Sequence, residues 1–202
     1  WGYHRDHDRW MQACGTWGSA GVRMLNPPSV IGWNSDKSYL SRLAETGVAI
    51  PPTVWVEGAS QADVDAAFDQ FGTEVVIVKP RVSGGAWKTR RLSRGDLLED
   101  APEGPAMIQP YLPSIETAGE TSLLFFGGRL SHAVNKLPVA GDFRIQTQFG
   151  GQYRALPEAP AGALGLAEQT LAGIDEDLLY ARIDMAQGPG GEWLLMEAEL
   201  IE

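Results

Sequence analysis

Three carboxylates near the end of this chain stand where a soluble protein would ordinarily place core residues. Asp184 lies in Tyr180-Ala181-Arg182-Ile183-Asp184-Met185, and Glu197 and Glu199 lie in Trp193-Leu194-Leu195-Met196-Glu197-Ala198-Glu199-Leu200-Ile201. Both runs are short and apolar, with Gly188-Pro189-Gly190-Gly191 between them as a turn region, so both read as strands. Side chains alternate along a strand, which puts Arg182 and Asp184 on one face and Glu197 and Glu199 on one face. An unpaired buried carboxylate is costly, so such groups pair with cations or bind a metal. The other reading is that these faces are solvent-exposed edges without chemistry. The two strands alone leave both readings open.

Cations gather upstream of these acids. Lys79, Arg81, Lys88, Arg90, Arg91 and Arg94 follow one another with no acid between, and Arg129, Lys136, Arg144 and Arg154 face Asp142 alone. From Ala155 onward Arg182 is the only strong base, against ten acids. Two basic segments and one acidic segment suit a polyanion with metal counter-ions, and equally suit surfaces that attract each other. In Ser83-Gly84-Gly85-Ala86 the glycines would let backbone N–H groups approach a phosphate, although such a pair also makes an ordinary hairpin turn. His4 and His7 are one helical turn apart, but nothing nearby completes a metal site, so they are assigned to a solvated amphipathic helix. Cys14 is the single cysteine; it reads as a small buried apolar residue, and its solitude fits a reducing cytoplasm.

The elements that must position these residues follow from periodicity and punctuation. A helix is expected over the opening residues to Trp17, and the stretch 22–33, with Asn26-Pro27-Pro28, is expected to be a loop with short strands. Asn34-Ser35-Asp36 supplies an N-cap and acidic first turn for a helix ending near Gly47, with Lys37 in that first turn. Thr53 to Val56 is a strand. Ser60-Gln61-Ala62-Asp63 opens a helix that stops at Gly72. Strands follow at 75–78, 87–92, 106–112, 121–126 and 130–134, the last two joined by Gly127-Gly128. A helical turn is expected at 95–100 and a proline-punctuated connection at 113–119. Residues 136–153 are polar and long for a loop, which favours function or mobility. Residues 161–172 form a helix.

With 202 residues, 44% of them hydrophobic, the chain is globular and long enough for one domain or two joined lobes. No apolar run approaches the roughly 18 residues a membrane helix needs. A formal net charge of −10 argues against general nucleic-acid or anionic-membrane binding. The chain begins at Trp1 without methionine, so it is expected to be part of a longer protein.

The order of these features resembles the ATP-grasp superfamily, in the branch of glutathione synthetase and the ribosomal-protein glutamate ligase. A Lys-bearing helix precedes a strand ending Lys79-Pro80, a Gly loop, and a strand ending Gln109-Pro110-Tyr111-Leu112. A hairpin, the loop Gly141-Asp142-Phe143-Arg144, and then Asp184 and Met196-Glu197-Ala198-Glu199 complete it. The wording of these motifs is nearer still to the O-ureido-serine cyclo-ligases of cycloserine biosynthesis. The resemblance runs from about Asn34 to the last residue and implies an α+β fold, with two α/β lobes of mainly antiparallel sheet sandwiching a nucleotide. It divides the chain into the end of an N-terminal lobe with a linking helix (1–52), a lid subdomain (53–110) and a metal-binding, catalytic subdomain (111–202).

The resemblance also implies roles. Lys37 and Lys79 would contact ATP phosphates, and Gly84 and Gly85 would lie in the loop that closes over them. Gln109, Tyr111 and Leu112 would form the hinge for adenine, largely through backbone groups, with Glu120 near the ribose. Arg144 would steady the transferred phosphoryl group, so that it and Lys79 are the catalytic residues, with Gln146 nearby. Asp184, Glu197 and Glu199 would hold Mg²⁺, two ions being expected and Mn²⁺ an acceptable substitute. Arg182 is assigned as a structural partner of these acids. Three positions depart from the relatives: Glu199, where many have asparagine; Pro110, where the glutamate ligase has an acid; and Ser122, where it has an arginine. The activity implied is ATP-dependent C–N bond formation through an acyl phosphate, with a small-molecule carboxylate and amine as substrates and an intramolecular cyclo-ligase as one form. A phosphotransferase and a degenerate ATP-binding module are the alternatives. No nucleic-acid or membrane partner is expected; the sequence does not set the oligomeric state, with which a homodimer or a homotetramer is compatible.

Overall fold

The computed structural model describes residues 2–201. After a 3-10 turn at Tyr3–Arg5 come helices α1 (His7–Ser19), α2 (Pro28–Asn34) and α3 (Tyr39–Glu45). Strand β1 (Val54–Val56), helix α4 (Gln61–Phe71) and strands β2 (Val75–Pro80), β3 (Arg90–Ser93) and β4 (Ala106–Pro110) follow. The remainder is α5 (Ser114–Thr117), β5 (Glu120–Phe126), β6 (Arg129–Leu137), β7 (Gln152–Leu156), α6 (Ala161–Ala172), β8 (Tyr180–Gln187) and β9 (Trp193–Glu199). Contacts divide the chain into two compact units, Pro51–Tyr111 and a larger one made of Tyr3–Ile50 with Leu112 onward.

The smaller unit is one antiparallel sheet in the order β1-β4-β2-β3, covered by α4. Ser60 and Asp63 form a reciprocal capping box at the start of α4, and Gly72 ends it in the left-handed conformation. Val64, Ala67 and Phe68 of α4 meet Val76, Val78, Leu92 and Ile108 of the sheet. Each large apolar side chain buried there contributes about 1.5–3 kcal/mol relative to exposure. Strand alternation then leaves Lys79 on the sheet face away from this core.

The larger unit is built on a five-stranded antiparallel sheet, β7-β6-β5-β8-β9, against which α6 packs. Leu123, Ile183, Met185 and Leu195 are completely buried in it. The outer edge of β9 is hydrogen-bonded by the preceding helical segment. Leu195 N–H donates to Ala49 O at 2.8 Å, and Asn34 both donates to Ala198 O (2.8 Å) and accepts from Leu200 N–H (3.0 Å). Both units pair helices with antiparallel sheet, as the expected α+β class requires. Among the described residues no helix is long and apolar enough to cross a membrane.

Several local expectations are corrected. Residues 28–34 are helical, because Pro28 occupies the first turn, where its missing N–H and fixed φ cost nothing. Asn34 therefore ends α2 and does not cap α3, whose N-cap is Ser38; Lys37 precedes that helix. The polar stretch 136–153 is only partly loop: β6 runs to Leu137, and β7, an exposed edge strand, starts at Gln152. The expected connection at 113–119 carries the short helix α5, and residues 95–100 form no helix.

Candidate active site

In the larger unit the strand pairing sets Asp184 directly across from Glu197, and Arg182 across from Glu199. The register then slips, so that Met185 faces Leu195 and Met196 is the extra residue. Such a bulge bends the strand and re-aims the side chain beside it. Ala198, between the two glutamates, is fixed from outside by the Tyr39 hydroxyl, which accepts from Ala198 N–H at 2.8 Å and donates to Ala198 O at 3.1 Å. Glu197 and Glu199 are thus held by a strand that is anchored on both edges.

Each carboxylate meets a cation. Lys37 Nζ is 2.9 Å from Glu197. Lys136 Nζ lies 3.1 Å from Asp184 and 3.2 Å from Glu120. Arg182 Nε donates to Asp184 at 3.0 Å, and its terminal nitrogen is 3.8 Å from Glu199. The Ser122 hydroxyl also donates to Asp184. Glu120 and Lys136 face each other across β5 and β6, as Ser122 and Asp184 do across β5 and β8. Asp184 is almost fully buried, whereas the Glu197 side chain keeps 31% of its surface open to solvent and is the carboxylate a solute reaches first.

The electrostatics separate these acids into two pairs. Burial would raise the Asp184 pKa, but Lys136, Arg182 and the Ser122 hydrogen bond outweigh it and hold the group below its ordinary value. Burial is likewise outweighed at Glu197 by the charge and hydrogen bond of Lys37. Glu120 is pushed up to about 7 by burial, against Lys136 and with the Asp184 charge adding to the rise. Glu199 is also pushed up to about 7, by burial and the Glu197 charge against the pull of Arg182. The firmly ionised oxygens therefore belong to Asp184 and Glu197.

Hard carboxylate oxygens suit Mg²⁺, which takes one or two of them from protein and fills its octahedron with phosphate and water. Asp184 and Glu197, adjacent and ionised, fit that requirement. Among the described residues no group of three or more His, Cys, Asp or Glu side chains is arranged to hold a metal, and the oxygens of these acids face Lys37, Lys136 and Arg182.

The other sequence-assigned residues fall into two groups. Arg144, in the larger unit, is held by Asp142 through Nε and a terminal nitrogen at 2.6 Å, and its guanidinium lies 3.8 Å from the Phe149 ring centroid. Gln146 follows with a buried side-chain oxygen that finds no hydrogen-bond partner among the described residues. Leu112 packs with Ala186 and Leu194. In the smaller unit, Gln109 is buried, pairs with Ile77 in the sheet and donates its side-chain amide to Thr53 at 2.9 Å. The Tyr111 N–H is itself donated to Val75 O, and Arg91 lies 4.1 Å over the Tyr111 ring. The Gly84-Gly85 loop turns twice, with Gly85, Ala86 and Lys88 all at positive φ. For Ala86 and Lys88 that conformation costs about 1–3 kcal/mol each, the kind of stored strain found at ligand clamps.

Two residues beside the acids were not singled out by sequence. Lys136 joins Glu120 to Asp184, and only strand register reveals it. Tyr3 is the other: burial pushes its phenol up to about 12, with Lys37 opposing and Glu199 and Glu197 adding, so it stands within electrostatic reach of all three.

No family model matches the sequence. Known structures do. The ATP-grasp ligase PsnB, solved with Mg and ADP, superposes with a TM-score of 0.67 at 21% identity, over 92% of this chain and 56% of that one. The D-cycloserine synthetase DcsG superposes with a TM-score of 0.81 at 27% identity, over all of this chain and 73% of that one. The chain belongs to the ATP-grasp superfamily, and its two antiparallel sheets with their helices are that fold. In sequence it is similar to the cycloserine biosynthesis protein DcsG of Streptomyces lavendulae, 32% identical over 201 residues, which is 90% of this chain. It is also similar to the glutathione synthetase of Prochlorococcus marinus (strain MIT 9313), 33% identical over 144 residues, which is 66% of this chain. The chain spans 66% and 43% of the length of these two relatives. The resemblance drawn from motif order alone, to glutathione synthetase and the cycloserine ligase, is the one the comparisons return.

Proposed function

We propose that this chain carries the ATP- and metal-binding part of a carboxylate–amine ligase, acting through an acyl phosphate on a small amino-acid derivative. The observation that carries the proposal is the juxtaposition of Lys37 with Glu197 at 2.9 Å, directly across the strand pair from Asp184. A phosphate-binding cation and two ionised metal carboxylates are thereby within one or two side chains of each other. Mg²⁺ there would neutralise charge on the phosphates during transfer. Asp184 and Glu197 would hold it. Glu199, at the position where many relatives have asparagine, would be a third carboxylate beside them.

The remaining roles rest on the resemblance and on the chemistry of each group. Lys37 and Lys79 would bind phosphate oxygens, and the Gly84-Gly85 loop would present backbone N–H groups to them. Gln109, Tyr111 and Leu112 would border the adenine, and Glu120 would accept from the ribose hydroxyls. Arg144, a planar fork already shaped around the Asp142 carboxylate, would exchange that anion for the transferred phosphoryl group. Such transfer depends on positioning and charge neutralisation and requires no side-chain nucleophile. The amine then attacks the acyl phosphate carbon, phosphate leaves, and the C–N bond forms. The similarity to DcsG favours an intramolecular attack that closes a ring.

The test is ADP release by the chain with Mg²⁺, ATP and a panel of small amino-acid-derived carboxylates, each with and without an amine. Release that depends on the amine, or on a substrate carrying its own, supports the ligase. Release that leaves a stable phosphorylated acceptor makes the protein a phosphotransferase instead.

A further inference from the structure

Lys136 has no role in the function proposed above, yet it is as deeply enclosed as Lys37. Its residue is only 6% exposed, and its ammonium bridges Asp184 of β8 and Glu120 of β5 at 3.1 and 3.2 Å. One oxygen of Asp184, Oδ1, receives the Ser122 hydroxyl, Lys136 Nζ and Arg182 Nε, and Oδ2 also receives Arg182 Nε. Lys136 and Arg182 thus set two positive charges against Asp184, and a metal ion would have to approach its oxygens against their repulsion. At full ionisation Glu120, Asp184, Glu197 and Glu199 oppose Lys37, Lys136 and Arg182. The four acids exceed the three bases by one charge, too little to favour a divalent cation on its own.

We propose that Lys136 is the counter-ion that withholds Asp184 from metal until nucleotide is present, so that metal and nucleotide bind as a pair and metal does not bind first. The inference rests on the Mg-ATP reading of this site. The lysine is a compact ammonium on a flexible stem and can change partners. A nucleotide's phosphates supply the anion it gives up, and the same phosphates supply the metal's remaining oxygen ligands. A buried ion pair kept only for stability would have no such consequence, since apolar groups of similar volume often replace such pairs without loss.

The experiment follows Mn²⁺ binding to the nucleotide-free chain by the electron paramagnetic resonance of free Mn²⁺. Lys136→Met and Lys136→Gln remove the charge and are expected to bind Mn²⁺ at least about tenfold tighter than wild type, with Lys136→Arg close to wild type. Far-ultraviolet circular dichroism verifies folding. Folded charge-removal variants that bind Mn²⁺ no tighter than wild type overturn the proposal. So does failure of both to fold, because Lys136 would then be a structural staple. Calorimetry of wild type with Mg-ADP separates the two readings. No nucleotide binding refutes the Mg-ATP site itself, whereas nucleotide binding without the tighter Mn²⁺ binding refutes the role of Lys136 alone.

Discussion

Asp184 and Glu197 face each other across β8 and β9, and each is held by a lysine from another element, Lys136 at 3.1 Å and Lys37 at 2.9 Å. Both acids are kept ionised by those partners despite their burial. A metal-nucleotide complex would therefore enter by exchanging partners, with each lysine passing from a carboxylate to a phosphate. The precision of that exchange depends also on residues that hold the strands and loops around the acids.

Asn34 is buried and clasps β9 from outside through Ala198 O and Leu200 N–H. Asn34→Ala leaves both groups buried without that partner, at about 1–3 kcal/mol for each unsatisfied group. Urea denaturation is expected to reveal a loss of about 2–6 kcal/mol on that basis. Because Ala198 separates Glu197 from Glu199, nucleotide affinity should fall together with stability.

Gly119 precedes Glu120 with φ at +81°, and a Cβ there would lie 2.6 Å from the Lys136 carbonyl oxygen. Gly119→Ala combines a left-handed backbone with a clash against backbone that cannot rotate away. Thermal unfolding is expected to register a loss of about 2 kcal/mol or more. Gly127→Ala, also at positive φ but with open space around it, should cost less.

The Asp142–Arg144 pair gives a pH signature. Asp142 is lowered to about 2, first by its hydrogen bond from the Arg144 side chain. A carboxylate with a depressed folded pKa contributes order that is fully present above its unfolded value of 3.8 and is lost as pH falls through about 2. Limited proteolysis of the segment 138–151 with pepsin should accelerate as pH drops from 4 toward 2 in about that window. Asp142→Asn should be cleaved rapidly throughout and lose the pH dependence.

Where local sequence decides structure, the sequence is a sufficient guide. The Ser60–Asp63 box and Gly72 bracket α4, and 161–172 is helical as its apolar spacing requires. The carboxylates of β8 and β9 were visible because charge inside apolar strands is costly. Lys136 was not, since its significance depends on β5 and β6 pairing in a register that brings Glu120 opposite it. Pro28 misled in the other direction: a proline reads as a breaker unless it is known to sit in a first turn, where it starts a helix. β7 was concealed by being an exposed edge, with almost every residue open to solvent and no apolar alternation to mark it. Asn34 looked like a helix cap because its side chain bonds backbone, and it does so, but to a strand 164 residues away.

The metal that ATP turnover requires would be held by Glu197 and Asp184, and ADP release in Mg²⁺ by Glu197→Gln measures that role, since the amide keeps the shape of the carboxylate and removes its charge. The expected result is a fall of at least about 10²-fold in turnover with folding intact, the scale on which removal of one electrostatic contact to a transition state is felt. Turnover within about threefold of wild type, a difference under 1 kcal/mol in the barrier, would contradict the metal assignment.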